Sequence, residues 1–209
     1  FFSRNEYEYN PERAREILDN DGWTDVDGDG IREKDNVRAE ITLTAAEGDY
    51  VPEFLQRFQA AAREIGISVL TERQTLVSIQ ENALPNRSFD ALYLGIAMNI
   101  YPDPYIYWHT SQGQSPGLNL SQYSNVNADG FLESARTNTD EAVIASSLAQ
   151  FQEQIATDNP ALFLYTPNSP FYVRDYVDNI RGTDFIGNTY SVRYLDISNW
   201  TINTTRVWK

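Results

Sequence analysis

Arg38 to Thr71, RAEITLTAAEGDYVPEFLQRFQAAAREIGISVLT, settles the fold class of this chain. Arg38 to Ala45 alternates apolar and polar residues and reads as a strand. Asp49 is placed to cap a helix running through Glu64, with Val51, Phe54, Leu55, Phe58, Ala62 and Ile65 on its buried face. Gly66 stops that helix, and Ile67 to Thr71 reads as a second strand. A strand, a helix and a strand joined by short links make a right-handed βαβ unit with parallel pairing.

Downstream the same logic continues. Thr75 to Leu84 reads as a shorter helix with Leu76, Ile79 and Ala83 inward, and Pro85 to Ser88 turns the chain. Phe89 to Ile96 is nearly continuous apolar sequence, as expected of a strand buried on both faces. Open α/β sheets bind ligands at the carboxyl ends of their strands. That directs attention to Met98-Asn99-Ile100-Tyr101 and the aromatic, proline-rich run that follows through His109. A polar loop spans Ser111 to Asn125. Helices are expected from about Asn127 to Thr137 and from Asp140 to Thr157, the latter with Ile144, Leu148, Phe151 and Ile155 in one core-facing stripe. Ala161 to Tyr165 and Phe171 to Arg174 look like strands split by a proline-bearing turn. From Asp178 onward the chain reads as loops and short strands.

Upstream lies YNPERAREILDNDGWTDVDGDGIREKD, Tyr9 to Asp35. Asn10 is a good N-cap and Pro11 suits the first helical position. Ala14, Ile17 and Leu18 share one face, and Asn20-Asp21-Gly22 supplies a stop. Asp25, Asp27 and Asp29 then alternate ahead of Gly30, which is the front half of an EF-hand-type calcium loop. Three carboxylates in five residues repel one another, and a hard divalent cation relieves this. The Ile31 carbonyl would be the next ligand. Asn36 stands where a bidentate Glu normally closes such a loop, leaving Glu33 and Asp35 to close the cage. The expected cofactor is therefore a structural calcium ion; the plain alternative is an acidic solvated turn. β-type sequence rather than an exit helix follows, which argues against a signalling EF-hand.

The 209 residues can bury a real core as one large domain or two small ones. Thirty Asp and Glu against 16 Lys and Arg argue against nucleic acid or an anionic membrane as partner. The absence of cysteine excludes disulfides, thiol catalysis and zinc–thiolate sites. Thirteen tyrosines, ten phenylalanines and four tryptophans exceed what a core needs and suit stacking on a ligand. Phe1-Phe2-Ser3-Arg4 is neither an initiator nor a signal peptide, so the chain is expected to be a piece of something longer.

Four segments together resemble the family 5 extracellular solute-binding proteins, the peptide receptors of ABC importers. They are Tyr9 to Asp35; SFDALYLGIAMNIYPDPYIYW; Asn119 to Asn125 running into Ala128-Asp129 and Leu132 to Ala135; and ALFLYTPNSPFYVRDYVDNIRG. The resemblance implies an α/β, type II periplasmic-binding-protein-like lobe with a mixed, mainly parallel sheet flanked by helices. It implies a C-terminal substrate-binding lobe over residues 1–160, with the acidic loop at 25–36, and a return segment toward a missing N-terminal lobe over 161–209. Expected partners are a peptide or other small solute and an ABC permease. The receptor is expected to be monomeric, extracellular or periplasmic, and tethered to the cytoplasmic membrane as a lipoprotein.

Met98, Asn99, Ile100 and Tyr101 form the expected ligand wall, with Trp108, Asn119 and Tyr123 as further candidates. Trp108 also suits a buried loop anchor, and Asn119 and Tyr123 also suit loop bracing. His109 reads as a surface or capping residue, and Asp129 as serving its helix N-terminus. Oligopeptide receptors place an aspartate just after the third strand to meet the peptide ammonium, where this chain has Ile100. Either the ligand lacks that ammonium or the correspondence is shifted by a few residues. Relatives also take dipeptides, nickel complexes and oligosaccharides. No phosphate cradle or Ser–His motif is present, so the expectation is a non-enzyme. The competing reading is a calcium-stabilised glycan-binding or glycan-processing module at the cell surface.

Overall fold

The computed structural model describes residues 8–48, 53–96, 103–166, 172–180, 194 and 196–203. Its centre is strand β3 (Glu40–Ala46), paired in parallel with β4 (Ser68–Gln74) on one side and β5 (Ala91–Tyr93) on the other. Parallel neighbours need a crossover, and helix α2 (Glu53–Glu64) supplies it between β3 and β4. Ile41 and Leu43 on β3, Val69 on β4 and Ala91 and Tyr93 on β5 meet Leu55, Phe58 and Ala62 of α2 to form one core. The βαβ unit is as expected, with β4 running three residues beyond Thr71. Asp49 and Val51 lie outside the described residues, as does the Phe54 side chain.

Gly66 carries a double constraint. Its φ of +88° is left-handed, and a Cβ there would stand 2.6 Å from Cγ of Arg32. The Arg32 guanidinium is the reason for that close approach. Its Nε donates to the Ile65 carbonyl at 2.9 Å, and a terminal nitrogen donates to the Trp23 carbonyl at 2.7 Å and pairs with Asp19. One side chain thereby joins the end of α2 to helix α1 (Pro11–Asn20) and the acidic loop. The Asn10 side chain caps α1 by accepting from Arg13 N–H at 2.8 Å. Ile17, expected on its apolar face, is exposed.

Between β4 and β5 the chain coils as α3 (Leu76–Ser78), a π-helical turn over Ile79–Ala83, and α4 (Leu84–Asn86). Pro85 explains the widened turn, because its ring would clash with the carbonyl four residues back and it has no N–H to donate. Ile79 and Ala83 are buried as expected, whereas Leu76 is exposed. β5 departs from expectation more clearly. Phe89 to Ile96 reads as a central strand, yet only Ala91–Tyr93 pair, on one edge, and Leu94 and Ile96 are exposed.

A second core lies beyond the sheet. Helix α5 (Tyr105–Trp108) and a 3₁₀ turn at Thr110–Gln112 lead through a long loop into α6 (Val126–Thr137) and α7 (Glu141–Asp158). Asn125 and Asp140 cap these two helices through their side chains. Trp108, Ala128, Leu132, Phe151 and Ile155 form the buried cluster, with Ala161 and Phe163 packed against it. The strand expected at Ala161–Tyr165 does not form, since no neighbouring strand is supplied among the described residues. Phe171 lies outside them, and Tyr172–Arg174 are irregular. Two short antiparallel pairs are also described: the hairpin of β1 (Glu33–Lys34) with β2 (Val37–Arg38), and β6 (Val177–Asp178) with β7 (Thr201–Ile202).

Thr44 sits in the middle of β3, buried, with no hydrogen-bond partner for its hydroxyl among the described residues. An unsatisfied buried hydroxyl is destabilising. Thr44→Val, which keeps the shape, is expected to raise stability by about 1 kcal/mol, read as a higher urea midpoint at unchanged slope.

Candidate functional site

The acidic loop is built from its own backbone. Asp25 accepts from the N–H groups of Gly28 and Gly30, at 2.8 and 3.0 Å. Asp27 accepts from Asp29 N–H at 3.1 Å, and Asp29 from Ile31 N–H at 2.8 Å. Gly30 has a φ of +88°, the sharp turn the motif requires. One oxygen of each of the three carboxylates lies within 4.8 Å of the others, all at the surface. Such a set of converging hard oxygens fits a calcium-type cation.

Strand β2 brings a protein cation to the same place. Arg38 pairs with Asp29 and stands 3.5 Å from Glu33. The Asp29 carboxyl is held below the usual carboxylate range, first by Arg38 and next by the Ile31 N–H. Glu33 turns back to accept from Val26 N–H at 3.0 Å. Asp35 and Asn36, with φ of +52° and +63°, form the tip of the β1–β2 hairpin. Neither Glu33 nor Asp35 belongs to the three-carboxylate cluster. The Ile31 side chain is buried. Sequence reading missed Arg38, whose role depends on a hairpin register that only pairing reveals.

At the other edge of the sheet, the parallel strands end together at Ala46, Gln74 and Tyr93. Met98, Asn99, Ile100 and Tyr101, expected beyond β5, lie outside the described residues. The chain is described again from Asp103. That residue accepts from Tyr105 N–H at 3.1 Å and pairs with Arg136 of α6 at 3.3 Å. Arg136 also lies 4.4 Å over the Tyr105 ring, and His109 stacks on that ring with a centroid separation of 4.1 Å. Asp103, Arg136, Tyr105 and His109 thus lock α5 onto α6.

The remaining candidates brace the loop. Trp108 is a buried anchor, edge-on to Tyr123 and 5.7 Å from Phe163. Asn119 is fully buried, and its amide donates to the carbonyls of His109 and Tyr123 at 3.2 and 2.8 Å. Its oxygen accepts from Tyr123 N–H at 3.1 Å and from the Ser121 hydroxyl at 3.2 Å. The Tyr123 hydroxyl donates to Asp158, which also accepts from Asn125 at 2.7 Å. Burial, then this bond, pushes the Tyr123 phenol up, and the same bond leads in lowering the Asp158 carboxyl. His109 is buried and caps the 3₁₀ turn, accepting from Ser111 N–H at 3.1 Å. Asp129 accepts from Thr110 N–H at 2.9 Å, so it serves that turn while sitting in the first turn of α6.

The α/β layer, a parallel sheet flanked by helices, is that of a type II periplasmic-binding-protein lobe, as the superposition on a solved relative shows. The sequence model described as bacterial extracellular solute-binding proteins, family 5 Middle, matches residues 2–119. Oligopeptide-binding protein AppA of Bacillus subtilis (strain 168) is 34% identical over 165 residues, covering 78% of this chain and 30% of AppA. The structure of B. subtilis AppA in complex with a nonapeptide superposes with a TM-score of 0.74 at 29% identity, over 98% of this chain and 40% of that one. NikZ from Campylobacter jejuni in complex with Ni(L-His) matches in fold, with a TM-score of 0.67 and 19% identity, over 93% of this chain and 39% of its own. So does the oligopeptide-binding protein from Thermus thermophilus complexed with pentapeptide, with a TM-score of 0.67 and 22% identity, over 86% and 33%. The chain belongs to the family 5 bacterial extracellular solute-binding proteins. It spans less than half the length of these relatives.

Asn119 generates a direct test. Asn119→Ala removes the partner of the His109 and Tyr123 carbonyls and of the Tyr123 N–H, and is expected to cost about 3 kcal/mol in urea unfolding. Asn119→Asp keeps the acceptor but turns a buried carboxylate oxygen toward the His109 and Tyr123 carbonyls, and is expected to cost more than the alanine at neutral pH.

Proposed function

We propose that this chain is the C-terminal part of the substrate-binding component of an ABC importer, a non-enzymatic receptor for peptides. The observation that carries the reading is the 34% identity to AppA, together with superposition of nearly the whole chain on its nonapeptide complex. In this reading the solute is enclosed between two lobes that close by a hinge movement, and the loaded receptor meets a permease in the membrane. Residues 161–209 return toward the other lobe. The receptor works as a monomer outside the cytoplasmic membrane, tethered there by a lipid anchor.

Met98, Asn99, Ile100 and Tyr101 supply the ligand wall, in keeping with the common carboxyl edge of β3, β4 and β5. With isoleucine at position 100, the peptide ammonium finds its partner elsewhere or is absent from the ligand. Trp108, Asn119 and Tyr123 hold the adjoining loop in place. A self-contained glycan module is the weaker reading, since the family match and the similarity to AppA both favour a solute receptor. The test is isothermal titration of the full-length receptor with a nonapeptide mixture, alongside mass spectrometry of small molecules it carries through purification. Saturable binding of peptides is expected. Turnover of a glycan, or a carried ligand that is no peptide, would overturn the assignment.

The loop at Asp25, Asp27 and Asp29 takes a structural calcium ion in this reading, with Arg38 beside it as a second positive charge. The ion would pin the loop and take no part in capture. Calcium at a hundred times its dissociation constant is expected to stabilise the protein by about 2.7 kcal/mol over chelator. Asp25→Ala, which removes the first ligand of the motif, should erase that difference. A thermal midpoint indifferent to calcium in the unmodified protein would refute the ion's role.

A further inference from the structure

His109 is buried where α5 meets α6, and its two ring nitrogens face different kinds of partner. Nδ1 accepts from Ser111 N–H at 3.1 Å and lies 2.8 Å from the Ser111 hydroxyl. It therefore carries a lone pair, and the proton of the neutral ring sits on Nε2. Nε2 stands 3.3 Å from Oε1 of Glu133 and 3.8 Å from Oδ1 of Asp129, both on α6. The same Asp129 oxygen accepts from Thr110 N–H at 2.9 Å. The ring also stacks on Tyr105 of α5, against which Arg136 lies, itself paired with Asp103. The charged groups around the imidazole are thus three carboxylates and one guanidinium. The first N–H groups of a helical turn have no carbonyl inside it to meet them. Among the described residues Gln112 and Gly113 N–H donate to the carbonyls of His109 and Thr110, whereas Thr110 and Ser111 N–H are met by the Asp129 carboxylate and the His109 ring.

We propose that His109 is a pH-sensitive latch on the turn at Thr110–Gln112. Protonation puts a hydrogen on Nδ1 and turns that acceptor into a donor. The Ser111 hydroxyl can rotate to accept from it; the Ser111 N–H cannot, and loses its cap. On the other side the imidazolium attracts the Glu133 and Asp129 carboxylates, and it draws the Asp129 oxygen away from Thr110 N–H toward Nε2. The carboxylates make a charged ring acceptable inside the protein, and the turn bears the cost. Both caps loosen together on acidification, which frees the start of the long loop while Asn119 still holds its later part to Tyr123. The latch goes beyond the receptor reading and stands without it.

Backbone hydrogen exchange on the full-length receptor, read with the nitrogen NMR shifts of its histidine rings, tests this. Each amide is compared with the unstructured-chain rate at the same pH. Between about pH 7.5 and about pH 5, protection of the Thr110 and Ser111 amides is expected to fall about tenfold, while that of α7 changes by less than about threefold. The fall is expected to track the charging of the His109 ring, whose signal is the one that disappears in His109→Asn. That variant keeps an acceptor near the place of Nδ1 but cannot ionise, so its turn should hold the same protection at both pH values. Unchanged protection in the unmodified receptor would overturn the proposal. So would a ring proton on Nδ1 at the higher pH, a fall that does not follow the ring, or an equal fall in His109→Asn. Should the variant fail to fold, the tautomer and the tracking in the unmodified receptor decide alone.

Discussion

β3 gives hydrogen bonds to a parallel neighbour on each side, and most of the architecture follows from that. A parallel partner cannot be reached by a tight turn, so the chain must leave the top of each strand and return to the bottom of the next through a helix. α2 does this between β3 and β4, and the α3–α4 coil does it between β4 and β5. Because β5 lies on the opposite side of β3 from β4, the two crossovers run in opposite directions across the sheet. With right-handed crossovers they fall on opposite faces. All three strands then finish at one edge, and that edge is where an α/β sheet of this kind meets its ligand.

In a chain with a net charge of −14, three arginines are used as cross-links between elements. Arg32 gathers the carbonyls of Trp23 and Ile65 with Asp19. Arg87, itself at a φ of +52°, donates to the carbonyls of Leu84, Gly113 and Gly117 and so fastens the end of α4 to the long loop. Arg136 joins Asp103 to the Tyr105 ring. A planar fork with several donors can serve acceptors from different elements at once, which a lysine ammonium on a flexible stem does less well. Single exposed ion pairs contribute little. Arg32, Arg87 and Arg136 therefore matter for the elements they hold in register more than for the charge they neutralise.

What could be read from sequence was whatever local chemistry decides. The Asn10 cap, the left-handed Gly66 and the elements of the βαβ unit follow from residues within a few positions of one another. The aspartates at 25, 27 and 29 were legible for the same reason. Partnerships over long separations were not. Nothing local says that Arg38 folds back onto Asp29, that Glu33 turns to Val26, or that Asn119 spends its whole amide inside the loop. Two of the strand readings that differ, Phe89 to Ile96 as a strand buried on both faces and Ala161 to Tyr165 as a strand, share a cause. Apolar sequence reports how a segment is covered in the whole protein, and both segments here have apolar side chains left uncovered.

The acidic loop and the carboxyl edge of the sheet lie at opposite ends of the same strands. The acidic loop precedes β3, and Arg32 just after it bonds back to Gly66, immediately before β4. Both contacts lie at the amino edge of the sheet. β3, β4 and β5 finish together at the carboxyl edge. β3 has seven residues, and at roughly 3.3 Å per residue it places the two edges about 20 Å apart. A cation held by Asp25, Asp27 and Asp29 at that distance is beyond coordination reach of a solute at the far edge, and salt screens its field over about 8 Å. Its influence on capture has to travel through the rigidity of β3 and β4. A mutation in the acidic loop should then change how firmly the lobe holds together, and leave the choice of solute to the residues beyond β5.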